Sequence, residues 1–469
     1  MSEPEKLERG LGLAAATSLN MTFMVGIGPF IVIPFIIHAM GGPQCILAWV
    51  VGAALAALDG CVWAELGAAM PQAGGSYVFL REAYGANRLG RMMSFLYIWQ
   101  TLFQAPLSIA SGALGFADYS KYLAVRIPGM KDWFGADAHV GNAARFVANY
   151  DRIVAVALIG LAVILLYRRI TAIGKISTVL SVIVVGTIVW LIYGGARHFD
   201  ASRVLTFPPG AWSFSWIFFA GLGHASVQSV YSYLGYYNVC NLGGEMKEPE
   251  RNIPRAIFLS IAGIALLYFL MQTSILSVVP WQEAERSPFV VSLFIERAFG
   301  SNWAALGTGL ILVLAFGSIF AATLGYSRVP YAAALDGNFF SVFARLHPVK
   351  RFPYISLLAL GAVAMLISLF FGLFSVIRAI LAMRCLIQFV GQAVGLMILH
   401  RRWKAERWPF RMWLYPVPVV LAIAGWVAIF ISTGRIPILA SLAAMIVGAA
   451  VYLVRAGTLK QWPFEEAHA

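Results

Sequence analysis

The stretch Met24–Pro34 reads MVGIGPFIVIP, and its two glycines and two prolines interrupt an apolar run that extends from about Leu11 to His38. Glycine weakens a helix, and Pro29 removes a backbone donor and clashes with the preceding turn. A hydrophobic helix broken at its centre frees N–H and C=O groups, which hydrocarbon tolerates only where they line a cavity. The N-terminus of the second half then offers donors and a positive dipole end to an anion such as a carboxylate. The C-terminus of the first half offers carbonyls to a cation or an ammonium group. A zwitterion suits such a site.

The composition around this break agrees with a membrane setting. The chain has 469 residues, 60% of them hydrophobic and 12% charged, with a mean hydropathy of +0.78. That leaves too little charge to solvate a soluble surface of this size and points to an integral membrane protein. Long apolar segments recur from end to end, as helices require; barrel strands would be short and alternating. A net charge of +13 would suggest nucleic acid in a soluble chain; here it reflects basic cytoplasmic loops, and no nucleic-acid partner is expected. Cys45, Cys61, Cys240 and Cys385 are scattered, with no CxxC pair and no histidine at ligand spacing. Neither a disulfide framework nor a metal site is expected. The polar start MSEPEKLERG, with no small-residue cleavage site after the first apolar run, reads as an uncleaved cytoplasmic tail over residues 1–10.

Segments of spanning length fall near 12–38, 44–69, 89–120, 151–168, 173–195, 213–240, 254–279, 302–334, 354–374, 376–400, 411–431 and 437–456, which predicts twelve transmembrane helices. The largest hydrophilic gap, 121–150, is expected to carry a short surface helix. Basic clusters follow every second segment: Arg81, Arg88 and Arg91; Arg168, Arg169 and Lys175; Lys247, Arg251 and Arg255; Arg345, Lys350 and Arg351; and HRRWKAERWPFR at 400–411. The positive-inside bias places these loops and both termini, including a tail at 457–469, in the cytoplasm. Short tails suggest a multi-pass protein of a bacterial inner membrane.

A second interruption lies in the sixth segment, where WIFFAGLGHASVQSV is followed by YSYLGYYNVCNLGGEMKEPERNIPRAI (231–257) and Leu234 and Gly235 punctuate the helix. The first and sixth segments each open a block of five, and an odd block inverts the topology of its successor. Paired broken helices at matching places in two halves point to a transporter binding site.

AELGAAMPQAGGSYVFLREAYG (64–85), GGEMKEPERNIPRAI (243–257) and LGYSRVPYAAALDGNFF (324–340), taken with the broken first helix, resemble signature segments of the amino acid–polyamine–organocation transporter superfamily in order and spacing. The resemblance covers most of residues 10–400. It implies an all-α integral membrane fold of the leucine-transporter type, twelve transmembrane helices with a five-plus-five inverted repeat and broken helices 1 and 6. The implied transport core is 11–400, with helices 1–5 at about 11–195 and helices 6–10 at about 213–400, followed by peripheral helices 11 and 12 at 401–456. It also implies a carboxylate-binding break at Gly26, Ile27 and Gly28, and an ammonium-binding break at Tyr231, Ser232, Tyr233 and Leu234. Two departures stand out. Ile27 replaces a serine common in the family, leaving backbone amides alone for a carboxylate, and Pro29 lacks an N–H. Family members often carry a lysine in the inner half of helix 5, linked to proton coupling or to replacing sodium; STVLSVIVVGTIVWLIYGG (177–195) has none. The coupling ion, H⁺ or Na⁺, stays open, and no cofactor is implied.

Other candidates follow from residue type. Asp59 stands in the second segment at a depth where an ionisable group costs about 3 kcal/mol; it is a candidate proton carrier or partner for a cationic substrate, or else a protonated packing group. His224 is a candidate pH-sensitive group, or a histidine hydrogen-bonded to a neighbouring helix. Tyr231, Tyr233, Tyr236 and Tyr237 cluster at the second break beside Gly235, and at least one is expected to line the site. Asn238 and Asn241 either bond substrate or brace the following helix. Gln100 and Gln104 share a face of the third segment, Gln104 being the substrate candidate. Ser318 and Thr323 either help a sodium site or pack helices. Glu65 is expected to pair with an arginine at an inner gate, and the family pattern assigns Arg81, Glu245 and Arg251 to a gate network.

The reading is a secondary transporter moving an amino acid by alternating access. The alternative is a polyamine or other organocation permease of the same fold, toward which Asp59 leans. No GxxxxGK[ST] loop supports ATP-driven transport, and no HExxH, GxSxG or paired-carboxylate motif supports an enzyme; no catalytic residue is assigned. A transporter-like nutrient sensor would usually show a large soluble tail. Oligomeric state is not legible.

Overall fold

The computed structural model describes residues 9–125, 141–168, 170–287, 289–370 and 373–464. Regular structure among them is helical; extended pairing is limited to the isolated bridges Leu11–Met246 and Ala73–Leu242. The tails expected at 1–10 and 457–469 fall partly outside the described residues.

The first apolar run forms α1 (Leu13–Met24) and α2 (Gly28–Met40), with a 45° bend between them. Val25 leaves the helical region (φ −90°, ψ 76°), and the chain resumes at Gly28–Pro29. Proline is tolerated in a first turn because the N–H it lacks has no helical acceptor there. Gly41 (φ 69°) closes α2, its N–H donating to the Ile37 carbonyl at 2.7 Å. Next come α3 (Ile46–Ala69), the short amphipathic α4 (Ser76–Ala83), α5 (Leu89–Ala124), α6 (Gly141–Leu166) and α7 (Ile170–Arg197). Most of the gap expected to hold a surface helix, 126–140, lies outside the described residues, and α6 begins earlier than the sequence suggests.

The sixth run is α8 (Trp216–Tyr233), started by the Ser215 side chain accepting from the Phe218 N–H at 3.3 Å. It does not continue helically to 240 as expected. Leu234 is extended and Gly235 sits at φ 129°, after which only one turn, Asn238–Asn241, forms. The rest comprises α9 (Pro249–Val278), α10 (Val290–Phe299), α11 (Ser301–Tyr326), α12 (Arg328–Leu335), α13 (Tyr354–Ser368), α14 (Leu373–Arg384), α15 (Gln392–Arg402), α16 (Val417–Ser432) and α17 (Arg435–Thr458). The tenth segment, expected as one helix over 376–400, carries a π-helical stretch, Cys385–Gly391, between α14 and α15. Such stretches recur at functional sites.

Seven helices are long and apolar enough to cross a membrane, eight when α1 and α2 count as one bent span. Two further long helices, α5 and α8, fall short in hydropathy for a visible reason: they bury polar side chains, Gln100, Thr101, Gln104 and Ser111 on α5 and Ser226, Ser229 and Ser232 on α8. Helices α13 and α16 are apolar but shorter. The outer faces carry exposed Ile153, Ile164, Val182 and Leu266, as lipid contact requires.

Inside, α1 packs on α7, α9 and α11, while α3 packs along α9 and α8. An aromatic cluster of Trp49, Tyr233 and Tyr268 fills the space between α3, α8 and α9, with ring centroids 5.0 to 6.2 Å apart. Trp63 stacks on Tyr237 at 4.5 Å just beyond the second break. Both breaks are therefore held by a rigid surround.

Candidate substrate site

The two discontinuities touch. A Cβ built at Gly235 would lie 3.0 Å from the Met24 nitrogen and 3.0 Å from Phe23 Cγ, so the left-handed glycine is also the only residue small enough to lie against the end of α1. Asn20, buried in α1, spans the gap: its Oδ1 accepts from the Val239 N–H at 3.0 Å and its Nδ2 donates to the Tyr236 carbonyl at 2.5 Å. Tyr268 of α9 places its hydroxyl 2.8 Å from the Met24 carbonyl and 3.1 Å from the Ser232 carbonyl, one proton serving the C-terminal ends of α1 and α8. Ser318 of α11 donates to the Phe23 carbonyl at 3.0 Å. These bonds satisfy part of the backbone freed by the breaks.

What they leave open is informative. Among the described residues, neither the Ile27 nor the Gly28 N–H has a backbone acceptor. Both open into a cavity at the start of α2, walled by Tyr231 and Ser232 of α8, Ser108 of α5, Ser318 of α11 and Arg384 of α14. Two free donors at the positive end of a 13-residue helix favour an anion. The C-terminal ends of α1 and α8 face the same space with partial negative charge, which favours an ammonium. No side chain fits at Gly26, where a Cβ would lie 2.6 Å from Ser318 Oγ.

Of the residues singled out in the sequence, Gly26, Ile27, Gly28, Tyr231, Ser232, Leu234 and Ser318 line this cavity. The others lie elsewhere. Tyr233 belongs to the aromatic cluster, and Gly235 sits behind the wall against α1. Asn238 donates to the Ala321 carbonyl at 3.1 Å, bracing the turn on α11. Gln104 is buried with no partner on its Nε2. Thr323 bonds back to the Ile319 carbonyl within its own helix. Asp59 is fully buried and accepts from the Tyr236 hydroxyl at 2.5 Å. His224 is exposed on the outer face of α8.

The expected gate pairs differ in their partners. Glu65 meets no arginine; it is bound by His400 at 2.7 Å and by the Met412 N–H at 3.1 Å. Glu245 pairs with neither Arg81 nor Arg251. It takes a two-pronged contact from Arg328 at 2.8 and 3.1 Å, both side chains almost fully buried. Its carbonyl accepts the Gly10 and Leu11 N–H groups at 3.0 Å each, strapping the entry to α1 against this segment. Arg81 instead contacts Asp336 and Glu82. Burial alone would lower the Arg81 guanidinium; the Asp336 carboxylate outweighs it and holds the group above its ordinary value. Arg251 is exposed and makes no ion pair among the described residues.

Sequence reasoning passed over Asn20, Tyr268, Arg328 and Arg384. Arg384 alone carried a readable signal: a charge inside the apolar run AILAMRCLIQFVGQ (379–392) deserved the same weight as Asp59.

A family profile described as amino acid permease matches residues 11–452. The chain is 25% identical to the cationic amino acid transporter 4 of Mus musculus over 404 residues, covering 84% of this chain and 60% of that one. It is 26% identical to the serine/threonine exchanger SteT of Bacillus subtilis over 436 residues, covering 90% of this chain and 91% of that one. An uncharacterized amino acid permease of the same bacterium, YecA, is 25% identical over 439 residues, covering 90% and 95%. The chain thus spans three fifths of the length of the mouse relative it matches and nearly all of the bacterial ones.

Proposed function

The chain belongs to the amino acid permease family, and from that premise we propose that it carries an amino acid across the membrane by alternating access. The observation that carries this reading is the meeting of α1, α2 and α8 at one cavity, with the Ile27 and Gly28 N–H groups unpaired beside the carbonyl ends of two helices. A solute α-carboxylate takes the two amides and its ammonium takes the carbonyl ends. Twelve spans accommodate the described helices: α1 with α2, then α3, α5, α6 and α7 as one block of five, and α8, α9, α11 with α12, α13, and α14 with α15 as an inverted second block. Helices α16 and α17 lie outside both. In this arrangement both termini are cytoplasmic, and the Glu245–Arg328 pair with the Leu11 strap closes the inner side. Opening inward breaks that pair.

The relatives differ in the solutes their names specify, cationic amino acids for one and serine or threonine for another, so family membership leaves the solute open. The test is uptake of labelled amino acids into proteoliposomes in sodium-free buffer, with and without a pH gradient. Uptake above that of protein-free liposomes supports transport; neither uptake nor counterflow for any amino acid refutes it.

A further inference from the structure

The substrate cavity holds a permanent positive charge that nothing in the protein neutralises. Arg384 ends α14, immediately before the π-helical stretch Cys385–Gly391, and is 2% exposed. Its partners are hydroxyls: Tyr237 at 2.5 Å, Ser108 at 3.3 Å, and Tyr326. Its Nε has no partner, and among the described residues no carboxylate lies within ion-pair distance of it. Asp59, the buried acid of α3, is bound by Tyr236 instead.

A guanidinium does not shed its proton inside a protein, so burial cannot switch this charge off. An ion taken out of water without a counter-charge is costly, and hydroxyl acceptors return only part of that cost. The π stretch beside Arg384 and the three hydroxyls fix the side chain at the cavity wall, with a donor to spare. A group carrying full negative charge is the partner this arrangement lacks, and carboxylates bind guanidinium in a two-pronged geometry.

Resting on the transport reading above, we propose that the solute is an acidic amino acid, whose second carboxylate is held by Arg384. The cavity then offers two anion positions, the Ile27 and Gly28 amides on α2 and the guanidinium on α14, and one ammonium position at the ends of α1 and α8. That matches one amine and two carboxylates. Polyamines and cationic amino acids bring positive charge against a fixed cation and are rejected.

The test uses the full chain in proteoliposomes preloaded with unlabelled amino acids, so that exchange and net uptake both register. Labelled L-glutamate, L-glutamine, L-serine and L-arginine are compared in parallel, with L-aspartate and L-asparagine as competitors. The expected result is a preference of at least about tenfold for each acid over its amide isostere, with no uptake of L-arginine. Arg384→Gln is expected to bring the glutamate-to-glutamine ratio to about 1, and Arg384→Lys to keep part of the preference. The isostere comparison in the unaltered protein stands whether or not either variant folds. Uptake of L-serine or L-glutamine with no gain from the acid overturns this assignment and leaves amino acid transport intact. Uptake of L-arginine does the same. No uptake of any amino acid overturns both.

Discussion

The Tyr268 hydroxyl lies 2.8 Å from the Met24 carbonyl, and the same oxygen lies 3.1 Å from the Ser232 carbonyl. A single side chain on α9 therefore answers to the last turns of both broken helices. Tyr268→Phe leaves two buried carbonyls short of a donor, a loss of about 1–2 kcal/mol. The expected outcome is a lower unfolding temperature in detergent and a raised KM for uptake, since both helix ends that face the solute ammonium are loosened.

At Gly26 the space for a side chain is already taken by Ser318. Gly26→Ala is expected to cut uptake at least about tenfold, and Gly26→Ala combined with Ser318→Gly to recover part of it, because the second change vacates the colliding atoms. A double-mutant cycle on uptake measures the coupling. Additive losses would mean that the two positions act independently.

Removing one partner of the Glu245–Arg328 pair strands a buried charge, which costs about 3–5 kcal/mol. Glu245→Gln and Arg328→Gln are each expected to lower thermal stability by comparable amounts, and the double variant by less than their sum. Thermal unfolding of the purified protein in detergent checks this.

Asp59→Asn keeps an oxygen to accept the Tyr236 proton while removing the charge. Uptake measured across pH is expected to lose its pH dependence in this variant. A profile matching the unaltered protein would reduce Asp59 to packing.

Glycine and proline made the two breaks readable, because no apolar helix spends MVGIGPF or YSYLGYY without a reason in its backbone. Segment boundaries were legible for the same physical cause, the length of an apolar run. Partners were not. Glu245 and Arg328 are 83 residues apart, and Glu65 and His400 are 335 apart; a composition of cytoplasmic charges names the participants of a network without pairing them. Asn20 and Tyr268 gave no cue, since one polar atom in an apolar helix has many possible acceptors until the fold selects one. The π stretch at 385–391 was invisible because its residues are ordinary helix formers, and the widening lies in backbone geometry alone.

That widened coil has a bearing on how such chains can change. A turn closed by bonds one residue longer than usual stores one surplus position in the tenth apolar segment. Excising a single residue from 385–391 would wind everything downstream round by about 100°, carrying His400 off Glu65 and away from the Tyr415 and Trp408 rings that sandwich it. Point replacements within this segment leave the downstream register alone, whereas a one-residue deletion would scramble the far end of the bundle.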